Sequence, residues 1–298
     1  MAKLAVEVER ALARRALTGA PGRAMPRLLA RGDGWMATDV VCTSGPQDRR
    51  FEERHSSVSI AIVVSGSFEY GAGRNRELMT PGSILLGSPG QGFECGHEHG
   101  AGDRCVSFHY APEYFDELAV DAGARGGRAR FRALRLPPVR ALAPLIARAC
   151  TGLTGSVPAP WEELGVRLAA RTLRILGRLT PVAGAASPSA VARVTRSVRM
   201  IERQPEAALA LGRLAREAGL SPYHFLRTFR RLTGATPHQY VLRTRLREAA
   251  ISLSAEPGRI LDVAFDSGFG DVSNFNHAFR DEFGVSPRVY RSQVAGRG

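Results

Sequence analysis

Lysine is almost missing from this chain: among its 298 residues and 41 basic side chains there is one lysine, Lys3. Codon composition explains the preference for arginine as well as any function does. The sign of the charge says more. With 28 acidic residues the formal net charge is +13, which favours a polyanionic partner, either nucleic acid or an anionic membrane surface. No run of eighteen apolar residues occurs, so no membrane span is expected. Residues Met1 to Leu17 carry Glu7, Glu9, Arg10, Arg14 and Arg15. That is the pattern of a short amphipathic helix and not of a signal peptide. The four cysteines, Cys42, Cys95, Cys105 and Cys150, are too few for a disulfide scaffold and fit a reducing cytoplasm. No nucleophile elbow, phosphate-binding glycine loop or complete metal triad with a general base is found, so the expectation is not an enzyme.

What is there reads as two domains. A hydrophobic content of 44% over this length can fill two ordinary cores. Residues 35 to about 110 alternate as short strands between glycine-rich turns: Ser57–Val64, Phe68 and Tyr70 before Gly71-Ala-Gly73, Pro81-Gly82 before Ser83–Leu86, and Cys105–Tyr110. That suggests a small barrel or sandwich. From about residue 137 the period becomes helical, through Leu142, Leu145, Ile146 and Ala149, then Leu164, Leu168, Leu173, Ile175, Leu176 and Leu179. A helical hairpin follows, packed on the β unit or on a second subunit. Residues 181–189 have linker composition, and the domain boundary falls there. The division is therefore an N-terminal helical extension over 1–34, a sensor and dimerisation domain over 35–185, and a helical domain over 190–293. The fold class is α+β.

The last hundred residues contain a repeat. Leu214-Ala-Arg-Glu-Ala-Gly-Leu-Ser221 matches Val263-Ala-Phe-Asp-Ser-Gly-Phe-Gly270 at a spacing of 49 positions. Phe225, Phe229 and Gly234 then match Phe275, Phe279 and Gly284 at a spacing of 50. Each copy has the logic of a helix-turn-helix. In the first, Leu211, Leu214, Ala215 and Ala218 make one buried face, and Gly219 stops the helix in a left-handed turn. Ser221 caps the next helix and Pro222 starts it. Phe225 and Phe229 are buried at i, i+4, and Gly234 ends the unit. In the second, Ile260, Val263 and Ala264 form the face, Gly268 breaks it and Asp271 caps. Between the copies Thr236 and Pro237 open a helix to about Ser254. At ~1.5 Å per residue it is roughly 27 Å long, which with its flanking turns can hold two recognition helices about one DNA turn apart. Ser286-Pro287 starts a terminal helix with Tyr290 and Arg291.

At these residues the sequence resembles the AraC/XylS family of transcription regulators, over about residues 190–293. The second unit carries the most specific match: Ile260-Leu-Asp-Val-Ala264, Gly268-Phe269, Ser273-Asn-Phe275, Phe279-Arg280, Phe283-Gly284, Ser286-Pro287 and Tyr290-Arg291. Leu214-Ala215, Ala218–Ser221, Phe229 and Gly234 match in the first, and Pro237 to Tyr240 resembles the start of the family's linker helix. The resemblance implies a seven-helix domain that places helices 222–233 and 271–283 in the major groove of double-stranded promoter DNA, with RNA polymerase as a further partner. Contacts would come from Tyr223, Leu226, Arg227 and Arg230 in the first helix. In the second they would come from Val272, Ser273, Asn276, His277 and Arg280. Helical geometry agrees, because the phenylalanines point the other way. Arg227 can pair with guanine and Asn276 with adenine, Leu226 and Val272 can only pack on methyls or sugar, and Arg230 and Arg280 suit phosphate.

Family members commonly carry a cupin-like β-barrel that binds an effector, plus helices that dimerise. Residues 35–185 resemble that plan, so a small-molecule or metal effector and a homodimer are expected, with no required cofactor. Pro81-Gly-Ser83 followed by His97 resembles half of a cupin motif, but only His55 stands upstream. A local cluster, Cys95, His97 and His99, then Cys105 and His109, would share strand faces. Three readings stay open: polar side chains lining a small-molecule pocket, a zinc or copper site at Cys95, His97, His99 and Cys105, or a redox switch between Cys95 and Cys105. Two other functions compete with regulation: a metal-dependent cupin enzyme with a DNA-binding tail, and a nucleoid binder indifferent to sequence. The duplicated, capped helices favour specific readout.

Overall fold

The computed structural model describes residues 2–123, 130–155, 159–177, 187–255 and 258–295. Helix α1 (Ala2–Thr18) is followed by nine strands: β1 (Ala24–Gly32), β2 (Trp35–Cys42), β3 (Phe51–Arg54), β4 (Val58–Gly66), β5 (Phe68–Ala72), β6 (Asn75–Met79), β7 (Ile84–Gly87), β8 (Gly92–Gly96) and β9 (Asp103–Tyr110). Then come α2 (Pro112–Asp121), the two-residue strand β10 (Arg135–Leu136), α3 (Ala143–Leu153) and α4 (Trp161–Leu176). The expected barrel is two open sheets. A six-stranded sheet runs β1-β2-β9-β4-β7-β10, and a four-stranded sheet runs β3-β8-β5-β6.

The continuous apolar run of β4 has a simple cause: its sheet is covered on both faces. Val58, Ile60, Ile62 and Val64 face a helical layer, where they meet Leu4 of α1, Leu145 and Ile146 of α3, and Leu164 and Leu168 of α4. Ala61 and Val63 point the other way, to Phe68, Tyr70, Met79 and Cys95 of the smaller sheet. β9 divides in the same manner, with Val106, Phe108 and Tyr110 on the helical side and Cys105 between the sheets. At the helical side Arg104 grips Asp39 with two bonds of 2.8 Å. Burial alone raises the Asp39 carboxyl, but Arg104 and Arg27 outweigh it and hold it below its usual range.

Residues 1–34 are not a helical extension throughout: the helix stops at Thr18, and Ala24–Gly32 joins the large sheet antiparallel to β2. β1 shows no clean alternation of burial, which hid it in the sequence. The helical hairpin is α3 and α4. Its apolar side closes on the β unit, while Ala147 and the half-buried Ala143 of α3 join the second helical core. These apolar positions pack within the chain. Of the expected linker, residues 181–186 lie outside the described residues. Ser187 is already a cap, accepting from the Ala190 amide at 3.3 Å.

Among the described residues the C-terminal part has seven helices, as the resemblance implied: α5 (Pro188–Arg203), α6 (Leu211–Glu217), α7 (Pro222–Thr233), α8 (Pro237–Ala255), α9 (Ile260–Asp266), α10 (Val272–Phe283) and α11 (Pro287–Ala295). α8 opens with a reciprocal cap, in which Thr236 Oγ1 accepts from the Gln239 amide and Gln239 Oε1 accepts from the Thr236 amide.

Candidate nucleic-acid interface

The repeat in the sequence is a repeat in space. α6 and α9 each have seven residues, and α7 and α10 each have twelve. The turn glycines take left-handed backbone in both units, Gly219 at φ 63° and Gly268 at φ 82°. Terminal glycines repeat the trick, Gly234 and Gly284 both at φ 78°, their amides returning to the Arg230 and Arg280 carbonyls. A side chain with a Cβ is strained there. Ser221 caps α7 through the His224 amide, and Asp271 caps α10 through the Asn274 amide at 2.7 Å. The ring pairs match too: Phe225 and Phe229 lie 5.4 Å apart, Phe275 and Phe279 5.5 Å apart. All four are fully buried. Leu211, expected on the buried face, is instead 37% exposed at the start of α6.

With the phenylalanines turned inward, the opposite faces are open. Tyr223, Arg227 and Arg230 on α7 are exposed, and so are Ser273, Asn276, His277 and Arg280 on α10. The N-terminal half does not cover them. Leu226 and Val272 are half-buried, and Val272 packs partly against the second helical core. The Arg227 guanidinium lies 5.8 Å from the centre of the Tyr223 ring, a cation–π contact that steadies it on the exposed face.

Sequence reasoning missed the residue that fixes one unit against the other. Arg245 of α8 donates to the carbonyls of Pro205 at 2.6 Å and Ala207 at 3.0 Å, in the α5–α6 connection. It also donates to Gly268 at 2.8 Å, in the turn of the second unit. One guanidinium thus bridges both halves of the repeat. An arginine in an arginine-rich helix carries no signal of this in the sequence.

The N-terminal half meets the first unit along α8. Glu202 of α5 accepts from Thr244 Oγ1 and from Arg247 at 3.3 Å. The Tyr240 hydroxyl stands 3.1 Å from Glu202 and 3.3 Å from the Pro81 carbonyl in the turn between β6 and β7. Burial lifts the Glu202 carboxyl above its ordinary range despite Arg247. Nearby, Arg243 donates to the Pro138 carbonyl at 2.6 Å and Arg135 to the Thr233 carbonyl at 3.3 Å.

The cysteine and histidine cluster is arranged differently from the expectation. β8 ends at Gly96, so the alternation that would align Cys95, His97 and His99 stops before His97. His99 sits in a turn. Cys95 and Cys105 both lie between the sheets, but His97 keeps other company. Among the described residues, the group of three His, Cys or acidic side chains whose donor atoms all come within 4.8 Å of one another is Cys42, His97 and Asp103. His97 Nε2 is 2.5 Å from Asp103 Oδ2, and Phe68 stacks on the ring. Burial alone lowers the His97 pKa; Asp103, with Cys42 beside it, outweighs that and lifts it to about 10. Burial pushes the Cys95 and Cys105 thiols well up, so neither is an activated thiolate. His55 is apart, 2.8 Å from the Tyr70 hydroxyl, and His109 bonds Ser59 and Ser107.

A β-sandwich joined to a doubled helix-turn-helix domain is the architecture of a two-part DNA-binding protein. Comparison with known proteins gives the same division. The AraC-like ligand binding domain model matches residues 39–169, and a helix-turn-helix domain model matches residues 214–293. The chain belongs to the AraC/XylS family of transcription regulators. It is 29% identical over 101 residues to the HTH-type transcriptional regulator MtrA of Neisseria gonorrhoeae, covering 34% of each chain. It is 40% identical over 68 residues to the HTH-type transcriptional activator RhaS of Yersinia pestis (strain Pestoides F), covering 23% of this chain and 25% of that one. With the probable transcription factor PqrA of Proteus vulgaris it shares 36% identity over 78 residues, 26% of this chain and 64% of that one. The match thus spans about a third of MtrA and a quarter of RhaS.

Proposed function

We propose that this protein is a sequence-specific regulator of transcription that binds double-stranded promoter DNA through the exposed faces of α7 and α10, under the control of an effector at the N-terminal domain. The observation that carries the reading is the pair of capped, equal-length helices with open polar faces, held at one spacing by α8 and Arg245. In α7, Arg227 reads guanine while Tyr223, Leu226 and Arg230 pack on sugar and phosphate. In α10, Asn276 reads adenine, Ser273 and His277 flank it, Arg280 holds phosphate and Val272 touches a methyl or sugar. RNA polymerase is the partner that a bound regulator would meet, and the cytoplasm is where it would work.

Effector occupancy reaches the DNA-binding half through the Pro81–Gly82 turn, which rests on Tyr240 beside the Glu202–Arg247 pair. The site for such an effector lies on the sensor half, where the smaller sheet carries an open depression of about 580 Å³ lined by Glu52, Glu53, Arg54, Phe93 and Glu94. The test is selection of bound duplexes from random sequence by the full chain, followed by competition with non-specific DNA at fixed salt. An enriched site with two elements about one helical turn apart supports the reading. Binding without enrichment, steeply weakened by salt, leaves the nucleoid binder instead.

A further inference from the structure

We infer that the protein has a zinc site between its two sheets, built from Cys42, His97 and Asp103. The three residues come from separate places in the fold: Cys42 ends β2, Asp103 begins β9 directly opposite it, and His97 follows β8 of the other sheet. Their donor atoms lie within 4.8 Å of one another. A tetrahedral zinc with ligands at ~2.0–2.3 Å needs its donors ~3.3–3.8 Å apart, so His97 Nε2 and Asp103 must part from 2.5 Å while any longer pair draws in. A thiol, an imidazole and a carboxylate are the donor types zinc accepts.

His97 is held in place for the set by its surroundings. His97 is 4% exposed, and its Nδ1 is buried without a hydrogen-bond partner. Its other nitrogen is held by Asp103, and Phe68 fixes the plane of the ring. Zinc would bind His97 through Nε2, parting its 2.5 Å contact with Asp103 so that both become ligands. Cys105 Sγ, 3.5 Å from Asp103 Oδ1, stands beside the set for the fourth position. On binding, the ion takes the place of the Cys42 thiol proton, which leaves to solvent with any second proton on the imidazole; no electron is transferred. Cys42 pairs strand to strand with Asp103 and cannot leave without disturbing that pairing. Zinc here would tie β2 and β9 to the loop after β8.

The inference does not depend on DNA binding, and one preparation tests both. The full chain is expressed without a polyhistidine tag, stripped with chelator under reductant, and titrated with cobalt(II) as an optical probe and then with zinc. A cobalt spectrum with a sulfur charge-transfer band and intense tetrahedral visible bands is expected. Zinc should displace one equivalent, and the band should fall at least tenfold in Cys42→Ser and His97→Gln but persist in Cys150→Ala. A spectrum like aqueous cobalt, or a band unchanged in Cys42→Ser, overturns the site. Should those variants misfold by circular dichroism, X-ray absorption on the zinc-loaded wild type decides. One or two sulfurs with an imidazole support the site, whereas four sulfurs or oxygen alone refute it. Duplex binding measured on the same stripped and loaded samples keeps the failure of either idea separate from the other.

Discussion

Replacing Arg245 by methionine asks whether the two DNA-binding units act as one rigid reader. Methionine keeps an unbranched stem and removes the donors. Three carbonyls lose a partner at 2.6, 2.8 and 3.0 Å, those of Pro205, Gly268 and Ala207; a fourth, Glu206 at 3.4 Å, is too long to weigh much. Hydrogen bonds from a charged donor are worth ~1.5–3 kcal/mol each, but Arg245 is half-buried and the released carbonyls return partly to water. About 1 kcal/mol apiece is the sounder figure, so the bridge contributes ~3 kcal/mol to holding the units in register. At 1.4 kcal/mol per tenfold, that is a loss of roughly 100-fold in affinity where both units must engage together. The assay is fluorescence anisotropy at fixed salt with two duplexes, one carrying both elements of the selected site and one carrying a single element. Arg245→Met should lose up to about 100-fold on the first and under about threefold on the second, because neither α7 nor α10 is itself altered. Equal loss on both duplexes, or none on either, refutes the argument that Arg245 sets the register.

Other consequences can be measured separately. Arg227→Ala should weaken specific binding by about 1–3 kcal/mol while binding to random duplex changes little; an unchanged selected-site affinity removes Arg227 from the reading face. Phe279 is fully buried among Phe275, Phe283 and Tyr290, with ring centroids 5.5, 4.4 and 5.4 Å away. Phe279→Ala should therefore cost ~3–5 kcal/mol, seen as an early calorimetric transition and a footprint shortened to one element. A full-length footprint at wild-type stability would contradict this packing. Burial, reinforced by nearby His109, pushes the His55 pKa from 6.5 to about 4. Between those values the unfolded chain takes up a proton that the folded chain refuses, so this contribution to stability is complete above pH 6.5 and falls away as the pH drops toward 4. Urea midpoints of His55→Gln should be flatter across that window than those of wild type, and an identical slope would exclude His55 as the cause.

The recurrence of Ala, Gly and Phe at spacings of 49 and 50 is visible because a capped helix-turn-helix is a local object. Its cap, turn glycine and i, i+4 rings are all dictated within some twenty residues of chain, so α6–α7 and α9–α10 follow from spacing alone. The barrel expectation failed for the opposite reason. Alternation in β4 and β9 tells which residues share a face, and not whether a sheet closes on itself. β1 and α2 were missed because β1 lacks a clean alternation and α2 is a ten-residue helix that buries little beyond Phe115 and Ala119.

The same divide separates the reading face from the clusters that join distant strands. Exposure of Arg227, Asn276 and Arg280 follows from helical periodicity once the phenylalanines are buried, so sequence alone determined that face. It also determined the doubled unit, the connecting helix and the glycines that end each helix, since each depends on neighbours within a few turns. Tertiary structure decided the rest. Cys42 meets His97 across the sandwich, Glu202 meets Arg247, Tyr240 meets the Pro81 turn, and Arg245 reaches two loops over sixty residues apart. Those contacts depend on strand register, on which sheets stack and on where α8 lies. None of these is carried by the period of a segment, because they are set by burying whole faces against one another.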